Sequence, residues 1–490
     1  MSLVSAMLGD MGAVQSRVLA GSSGCLLALL ASCATPAPDA GRTALPAAYE
    51  QPAGLTSASA ARSPVEWFHG FGSEELDGFI SAADAGNLDL AAATARVAQA
   101  DARSRIAGAA LLPQVDAGGN VTHFTGRSHG ETLSETDWSA LLSASYETDF
   151  WGRNRAAGNS ARALARASRA DRATVALTVS GSVANGYFQV LSLREQLAIA
   201  RSNLDTAREV LKVIEARHAA GAAGEVELAT QRATVAATEV AIPELVQQEA
   251  AARGALAILL GRAPEQFTVT GMPLDEIREP AIAAGLPATL LARRPDLQSA
   301  EASLEAADAD VQAARAALLP SITLTASGGV QNPAVQAAVD TLTGTGSTLT
   351  LGASLLQTIF DGGQRRAVRA ETEARRQELL AGYRAAVLAA LLDVETALGS
   401  ITKLNSQQSA QQASVSHSER ALDGARLRYQ AGSGDYLSVL EAQRLVYAAR
   451  AQYAVYRLAR LQALVGLCRA LGGGWPSAPL QPEASASATR

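Results

Sequence analysis

The chain has 490 residues, a net charge of −6, only 18% charged and 4% aromatic residues, and enough alanine to make helix the default local state. It carries no basic block, no aromatic RNA-binding motif and no zinc-finger spacing, which leaves nucleic-acid binding without support. The five histidines (His69, His123, His129, His218, His417) form no HExxH and no metal-ligand pair with cysteine, so no metal site is expected.

The first element is a leader. Arg17 precedes the apolar run Cys25–Leu30, which is too short to span a bilayer and reads as a secretory signal. Asp10 interrupts the region before it, so Met7 and Met11 stand beside Met1 as alternative starts. Leu30-Ala31-Ser32-Cys33 resembles a bacterial lipobox, with small residues before the cysteine. Cleavage there would make residues 1–32 a signal peptide and leave Cys33 bearing N-acyl and S-diacylglycerol chains, with no other cofactor expected. The alternative is an ordinary signal with an incidental cysteine. Ala34, rather than an aspartate, follows Cys33, which favours outer-membrane delivery. Loss of Cys25 and acylation of Cys33 would leave Cys468 alone, with no intramolecular disulfide. Residues 33–64 are rich in Pro, Ala and Ser and read as an acylated tether; packing begins at Trp67, Phe68 and Phe71.

Beyond the tether the chain repeats itself. DLAAATARVAQADARSRIAGAALLP runs from Asp89 to Pro113, and DLQSAEASLEAADADVQAARAALLP from Asp296 to Pro320, each end displaced by 207 positions. Arg217-His218-Ala219-Ala220-Gly221 and Leu260-Gly261 return 211 positions later as Arg428-Tyr429-Gln430-Ala431-Gly432 and Leu471-Gly472. Matching Pro, Gly and Asp at fixed spacing indicates duplication rather than convergent alanine-rich helices.

No proline falls between Pro113 and Pro243 or between Pro333 and Pro476, so very long helices are permitted. Gly363 to Gln430 would extend about 100 Å if continuous. Val387, Leu388, Leu391, Leu392, Val394 and Leu398 form a stripe along it, and helices of this length need lateral, coiled-coil-like partners. Between the long helices the period changes to two. Trp138, Ala140, Leu142, Ala144 and Tyr146 alternate with mostly polar residues, as do Ile322, Leu324, Ala326 and Val330, and Leu349, Leu351, Ala353 and Leu355. An alternation of about ten residues marks membrane-barrel strands, with a half-buried soluble sheet as the alternative. Phe124, Trp138, Trp151 and Phe360 at the margins suit interfacial belts. The strands expected are Gln114 to about Arg127, about Thr136 to Trp151, Ser321 to about Gln331 and about Ser347 to Phe360. Four strands cannot close a barrel, and an open edge is excluded from lipid. If they span a membrane, several copies must share one barrel, and three copies give twelve strands with room for a passage.

A set of motifs then carries a resemblance across nearly the whole mature chain. They are Trp67…Phe71, Asn87-Leu88-Asp89-Leu90, Ala110-Leu111-Leu112-Pro113-Gln114, Tyr146-Glu147 with Trp151-Gly152-Arg153, and Gly285-Leu286-Pro287 with Leu291-Ala292-Arg293-Arg294-Pro295-Asp296. Phe360-Asp361-Gly362-Gly363 and Arg428-Tyr429…Gly432…Leu437…Leu440-Glu441-Ala442-Gln443 complete it. The sequence resembles the outer-membrane factor family, the TolC-like channels of tripartite export, and within it the lipoprotein efflux branch (the NodT group). The resemblance implies a membrane α+β fold: a homotrimer with a twelve-stranded outer-membrane barrel, four strands per chain, continued by a periplasmic barrel of twelve long helices. It implies a periplasmic adaptor and, through it, an inner-membrane pump of the RND type as partners. The chain would be a passive conduit for drugs or other small toxic compounds, with protein secretion or metal efflux as alternatives. A periplasmic coiled-coil scaffold lipoprotein is the alternative that needs no channel.

The resemblance also places a periplasmic aperture at Leu437, Glu441, Tyr429 and Asp435, with Tyr429 matching an aromatic that hydrogen-bonds across neighbouring helices to hold the closed state. Three copies of Glu441 would form an acidic collar and three of Leu437 a dewetting plug. This chain has Ser438 where some members have a second carboxylate, and Gly434 where some have the basic companion of Tyr429, which implies a thinner charge ring and a weaker restraint. The turns at Gly221, Gly224, Gly432 and Gly434 would be the helix tips that meet the adaptor. No GxSxG in the mature chain, Walker loop or GxGxxG is present, and the chain is not read as an enzyme. The expected organisation after the tether is a helical and equatorial segment (65–112), a first β-hairpin (113–152) and long periplasmic helices (153–262). An inter-repeat linker (263–295), the helix of the second half (296–319), a second β-hairpin (320–362), further long helices (363–473) and a flexible C-terminal tail (474–490) follow.

Overall fold

A computed structural model describes residues 46, 49–50, 64–128, 131–280, 282, 287, 290–331 and 348–473. The expected signal, the acylation site Cys33, most of the tether, Gly285-Leu286 and the tail 474–490 lie outside the described residues.

Helix α1 (Glu74–Gly86) follows a 3-10 turn at Pro64–Phe71 and is capped by Ser73, whose side chain accepts from the Leu76 amide. Glu74, Glu75 and Asp77 in its first turn complement the helix dipole. The rest is written twice. In the first half come α2 (Leu88–Ala109), the hairpin β1 (Gln114–Ser128) and β2 (Glu131–Thr148), α3 (Arg153–Ala219) and α4 (Glu225–Leu259). The second half has α5 (Pro295–Ala316), β3 (Ser321–Gln331), β4 (Thr348–Leu356), α6 (Gln364–Gln430) and α7 (Tyr436–Ala470). Corresponding helices have equal lengths of 22, 67 and 35 residues. Each 67-residue helix starts at a left-handed glycine, Gly152 (φ 80°) and Gly363 (φ 88°), where the chain turns out of the sheet. Pro243 lies inside α4, where it forfeits one backbone hydrogen bond without ending the helix.

The strands form one antiparallel sheet in the order β1-β2-β3-β4. Register fixes the faces. Val121↔Trp138, Ala117↔Leu142↔Gly328↔Leu349 and Ala144↔Ala326↔Leu351 place apolar side chains on one face. Asn120↔Ser139, Asp116↔Ser143↔Ser327↔Thr350 and Ser145↔Thr325 make the other polar. Phe124 departs from its expectation: it lies three residues from Val121, hence on the polar face with Asn120 and Thr122, and is no part of a belt on the apolar face. Pairing in the first hairpin runs further than expected, to Ser128↔Glu131, β2 ends at Thr148 rather than Trp151, and β4 ends at Leu356 rather than Phe360.

Helix α3 packs against α1, α2, α4, α5 and α7, and α6 against α5 and α7. The main core forms a belt where Phe71 and Phe79 meet Tyr187 and Phe188 of α3, Leu256 of α4, Val394 and Leu398 of α6, and Leu461 and Val465 of α7. A smaller core near the turns joins Ile214, Leu228, Leu422, Tyr429, Tyr436 and Val439. The α6 stripe is divided: Val387, Val394 and Leu398 are buried, but Leu388 and Leu392 are exposed, the latter at 66%. Among the described residues nothing covers that face.

Candidate functional site

The two turns at the far end of the long helices have the same construction. After α3, the Gly221 amide donates to the His218 carbonyl and the Ala222 amide to that of Arg217; after α6, Gly432 donates to Tyr429 and Ser433 to Arg428. Gly221 and Gly432 share φ +72°, so each supplies the left-handed residue that such a helix ending requires. Gly224 is extended before α4. Gly434 sits where a Cβ would fall 2.9 Å from the Arg428 Cβ, so only glycine fits so close to the end of α6.

Helix α7 begins at Asp435, whose carboxylate accepts from the Ser438 amide at 2.7 Å and its hydroxyl at 3.0 Å. The Ser438 amide heads the interactions that hold this carboxyl below its usual value. Asp435 is thus an N-cap, and Ser438 is its partner. Leu437 and Glu441, one turn apart, are exposed on α7 (63% for Leu437), with Arg444 3.7 Å from Glu441. Tyr429 is buried and faces into the protomer. The four aperture residues therefore divide into an outward pair, a cap and an internal tie.

The tie recruits residues that the sequence reading assigned no role. The Arg217 guanidinium lies over the Tyr429 ring, 4.5 Å from its centroid, and donates to the Tyr429 carbonyl at 2.9 Å. The Tyr429 hydroxyl reaches the Glu227 carboxylate at 3.5 Å. Burial, then the Glu227 charge, pushes the Tyr429 phenol up, whereas Arg217 opposes that shift. Beside it, the Tyr436 hydroxyl donates to Gln231 at 2.7 Å, and Gln231 donates onward to the Ala207 carbonyl at 2.8 Å. Arg426 pairs with Glu209 at 2.9 Å. Apart from the Gln231 bond to Ala207, each of these contacts joins the α3–α4 hairpin to the α6–α7 hairpin. Arg217 occupies the duplicated position of Arg428, the one sequence signal that pointed to it.

Above the turns a groove of about 520 Å³ opens between the hairpins, lined by Ala207, Thr230, Thr234 and Thr238 on one side and Leu440 and Gln443 on the other. Gln443 is 4% exposed, and neither its amide nitrogen nor its amide oxygen has a hydrogen-bond partner. Among the described residues, no group of three His, Cys, Asp or Glu is placed to hold a metal ion.

A sheet with one apolar and one polar face, two open edges and contiguous 67-residue helices defines the protomer of an outer-membrane channel. The chain belongs to the outer membrane efflux protein family, whose model matches residues 79–262 and again 286–473. It is 46% identical to the pyoverdine export outer membrane protein OpmQ of Pseudomonas aeruginosa, covering 93% of this chain and 96% of that one. It is 30% identical to the cation efflux system protein CusC of Escherichia coli K12, covering 92% and 98%. Among solved structures, the outer-membrane channel OprN matches with a TM-score of 0.81 at 28% identity over 89% of this chain and 98% of that one. The open state of the Neisseria gonorrhoeae channel MtrE matches at 0.78 and 28% identity over 88% and 96%. The family is one of transport channels rather than enzymes, and the chain is an efflux channel of the outer membrane with its helices in the periplasm.

Proposed function

We propose that three copies of this chain share one twelve-stranded barrel and one helical tunnel, and that the assembly is a passive conduit for small organic molecules. The open edges of the four-stranded sheet carry this reading. Strands β1 and β4 have unpaired backbone groups that lipid cannot satisfy, and closure by identical copies pairs all of them. The uncovered Leu388 and Leu392 on α6 supply apolar surface for the same neighbours. Acylation of Cys33 adds a lipid anchor beside the barrel. With three acyl chains on Cys33 the anchor is stable in its own right, and it holds the chain in the same membrane as the barrel strands.

The tip turns at Gly221, Gly224, Gly432 and Gly434, together with the groove beside Gln443, receive a helical hairpin of a periplasmic adaptor; the unpartnered Gln443 amide supports this placement. The adaptor connects to an RND-type inner-membrane pump that supplies the energy. Relatives with this architecture are named for pyoverdine export, cation efflux and toluene efflux, so cargo chemistry varies while the conduit does not. The 46% identity to a pyoverdine exporter favours a small organic cargo over protein secretion.

At the aperture, Glu441 and Leu437 face the axis and set ion preference and wetting. Replacing Glu441 with lysine inverts the charge of the collar, so Glu441→Lys lowers cation preference in single-channel recordings from planar bilayers. Unchanged selectivity removes Glu441 from the aperture, and absence of any channel removes the conduit itself.

A further inference from the structure

The apolar face of the sheet, which turns outward to lipid, changes character at one row. From Thr148↔Ile322 up to Val121↔Trp138 it is mostly apolar. Trp138 and Thr148 are about 34 Å apart along β2 at ~3.4 Å per residue, or about 26 Å along the membrane normal at a tilt near 40°. The apolar band of an outer-membrane barrel is about 25 Å tall, so Val121 and Trp138 mark its outer boundary. β1 and β2 continue past this row, away from the periplasmic helices, to the pair Ser128↔Glu131. Their next outward positions are polar: His123↔Thr136, Thr125↔Ser134 and Arg127. These stand at headgroup level on the cell-surface side and face lipid rather than the lumen.

The polar residues form one cluster. His123 Nδ1 lies 2.8 Å from the Thr136 hydroxyl, and its Nε2 lies 3.2 Å from that of Thr125 and 3.3 Å from that of Ser134. A hydroxyl that accepts an imidazole N–H keeps its own proton to donate. Arg127 is the next outward residue after Thr125, about 7 Å further along β1 and within the reach of its own side chain. All five residues are exposed. Charge is also sorted between the faces. Among the described residues, the outward positions of the four strands include Arg127 and no Asp or Glu, whereas Asp116, Glu135, Asp137 and Glu147 hold alternate register positions. We propose that Arg127 and the hydroxyls of Thr125, Ser134 and Thr136, oriented by His123, bind the phosphate of a lipid headgroup in the outer leaflet. The guanidinium fork matches phosphate oxygens, and charge-assisted hydrogen bonds of this kind are strong. A lipid is the source of the phosphate because exposed Val121, Trp138 and Leu142, directly below the cluster, offer apolar surface to its acyl chains. The proposal rests on the sheet's lying in the outer membrane, and not on the cargo or the number of copies.

The test is lipid binding by the full chain, purified in mild detergent and followed by native mass spectrometry. The probes are lipid A with its phosphates, the same lipid A after enzymatic removal of phosphate, and inorganic phosphate. Phosphorylated lipid A should bind roughly tenfold or more tightly than the dephosphorylated lipid, the weight of one charge-assisted hydrogen bond. Arg127→Glu should weaken that binding by a similar factor, and Arg127→Lys should fall between. Thr125→Val combined with Ser134→Ala should also weaken it, since both changes remove a hydroxyl and leave Arg127 in place. Equal affinity for the two lipids, or binding unchanged by Arg127→Glu, overturns the proposal. Full competition by millimolar inorganic phosphate overturns it too, because the ligand is then a free anion. Arg127 is exposed, so its variants are expected to elute with the parent on gel filtration. Should Arg127→Glu fail to assemble, the double hydroxyl variant decides, and an affinity equal to the parent's overturns the proposal.

Discussion

Arg217 and Tyr429 stand 212 positions apart, yet a stacked guanidinium and a 2.9 Å hydrogen bond hold them together. A cation over an aromatic ring contributes about 0.5–1 kcal/mol at an exposed site, and the added hydrogen bond about 1 kcal/mol. Together they suit a restraint that a partner protein can release. Arg217→Ala should raise the single-channel conductance of the reconstituted protein. Arg217→Lys should fall between, because an ammonium keeps the charge but lacks the planar fork. Equal conductance in all three would mean that the tip is held elsewhere. Tyr187 offers a second residue-scale test, in the belt. Burial pushes its phenol up to about 12, opposed by the Ser73 hydroxyl and reinforced by the Glu75 carboxylate. A pKa raised from 10.0 in the folded state gives stability that is complete below pH 10 and lost as pH climbs through about 12. Alkaline melting curves should therefore fall steeply between those values, and Tyr187→Phe should flatten that fall. A parallel fall in both proteins would assign alkaline unfolding to other groups.

At the scale of elements, the duplication foretold most of what the fold contains. The stretch from Gln364 to Gln430 in the proline-free interval is α6, and the offset of 211 places the start of α3 opposite its start. Strand number and the apolar faces were legible for the same reason, since period two is a local property. Phe124 was misplaced because belt membership depends on counting parity through β1, where Gly118 and Gly119 blur the alternation. Pro243 limited no helix because one missing hydrogen bond is tolerated in a helix packed along its length. The glycines that start α3 and α6 carry the element-scale prediction. A Cβ in the left-handed region costs about 1–2 kcal/mol, so Gly152→Ala and Gly363→Ala should each lower the thermal midpoint. Both positions have little beside a Cβ to clash with, the nearest atom at Gly152 being Arg155 Nη2 at 3.7 Å, so the loss isolates backbone strain. An unchanged midpoint would show that the turns relax into another conformation.

For the whole molecule, the sequence showed the number of strands and the structure showed their order; together they require a neighbour. What was not legible was the site. Asp435 is an aperture residue by resemblance, and the structure adds that its carboxylate caps α7 through the Ser438 amide. Glu227 and Gln231 had no signal, and Arg217 only its duplicate Arg428, because their partners lie on the other hairpin, far away along the chain. The outward pair Leu437 and Glu441 acquires a meaning only when other copies surround the axis. Assembly is therefore the claim on which the conduit, the collar and the restraint all depend. Native mass spectrometry of the full chain, extracted from the outer membrane in mild detergent, measures it most directly. The account predicts a particle of three chains, each carrying the same lipid-derived mass increment if Cys33 is acylated. A stable particle of one or two chains contradicts it, because four or eight strands of this sheet leave no passage through a closed barrel.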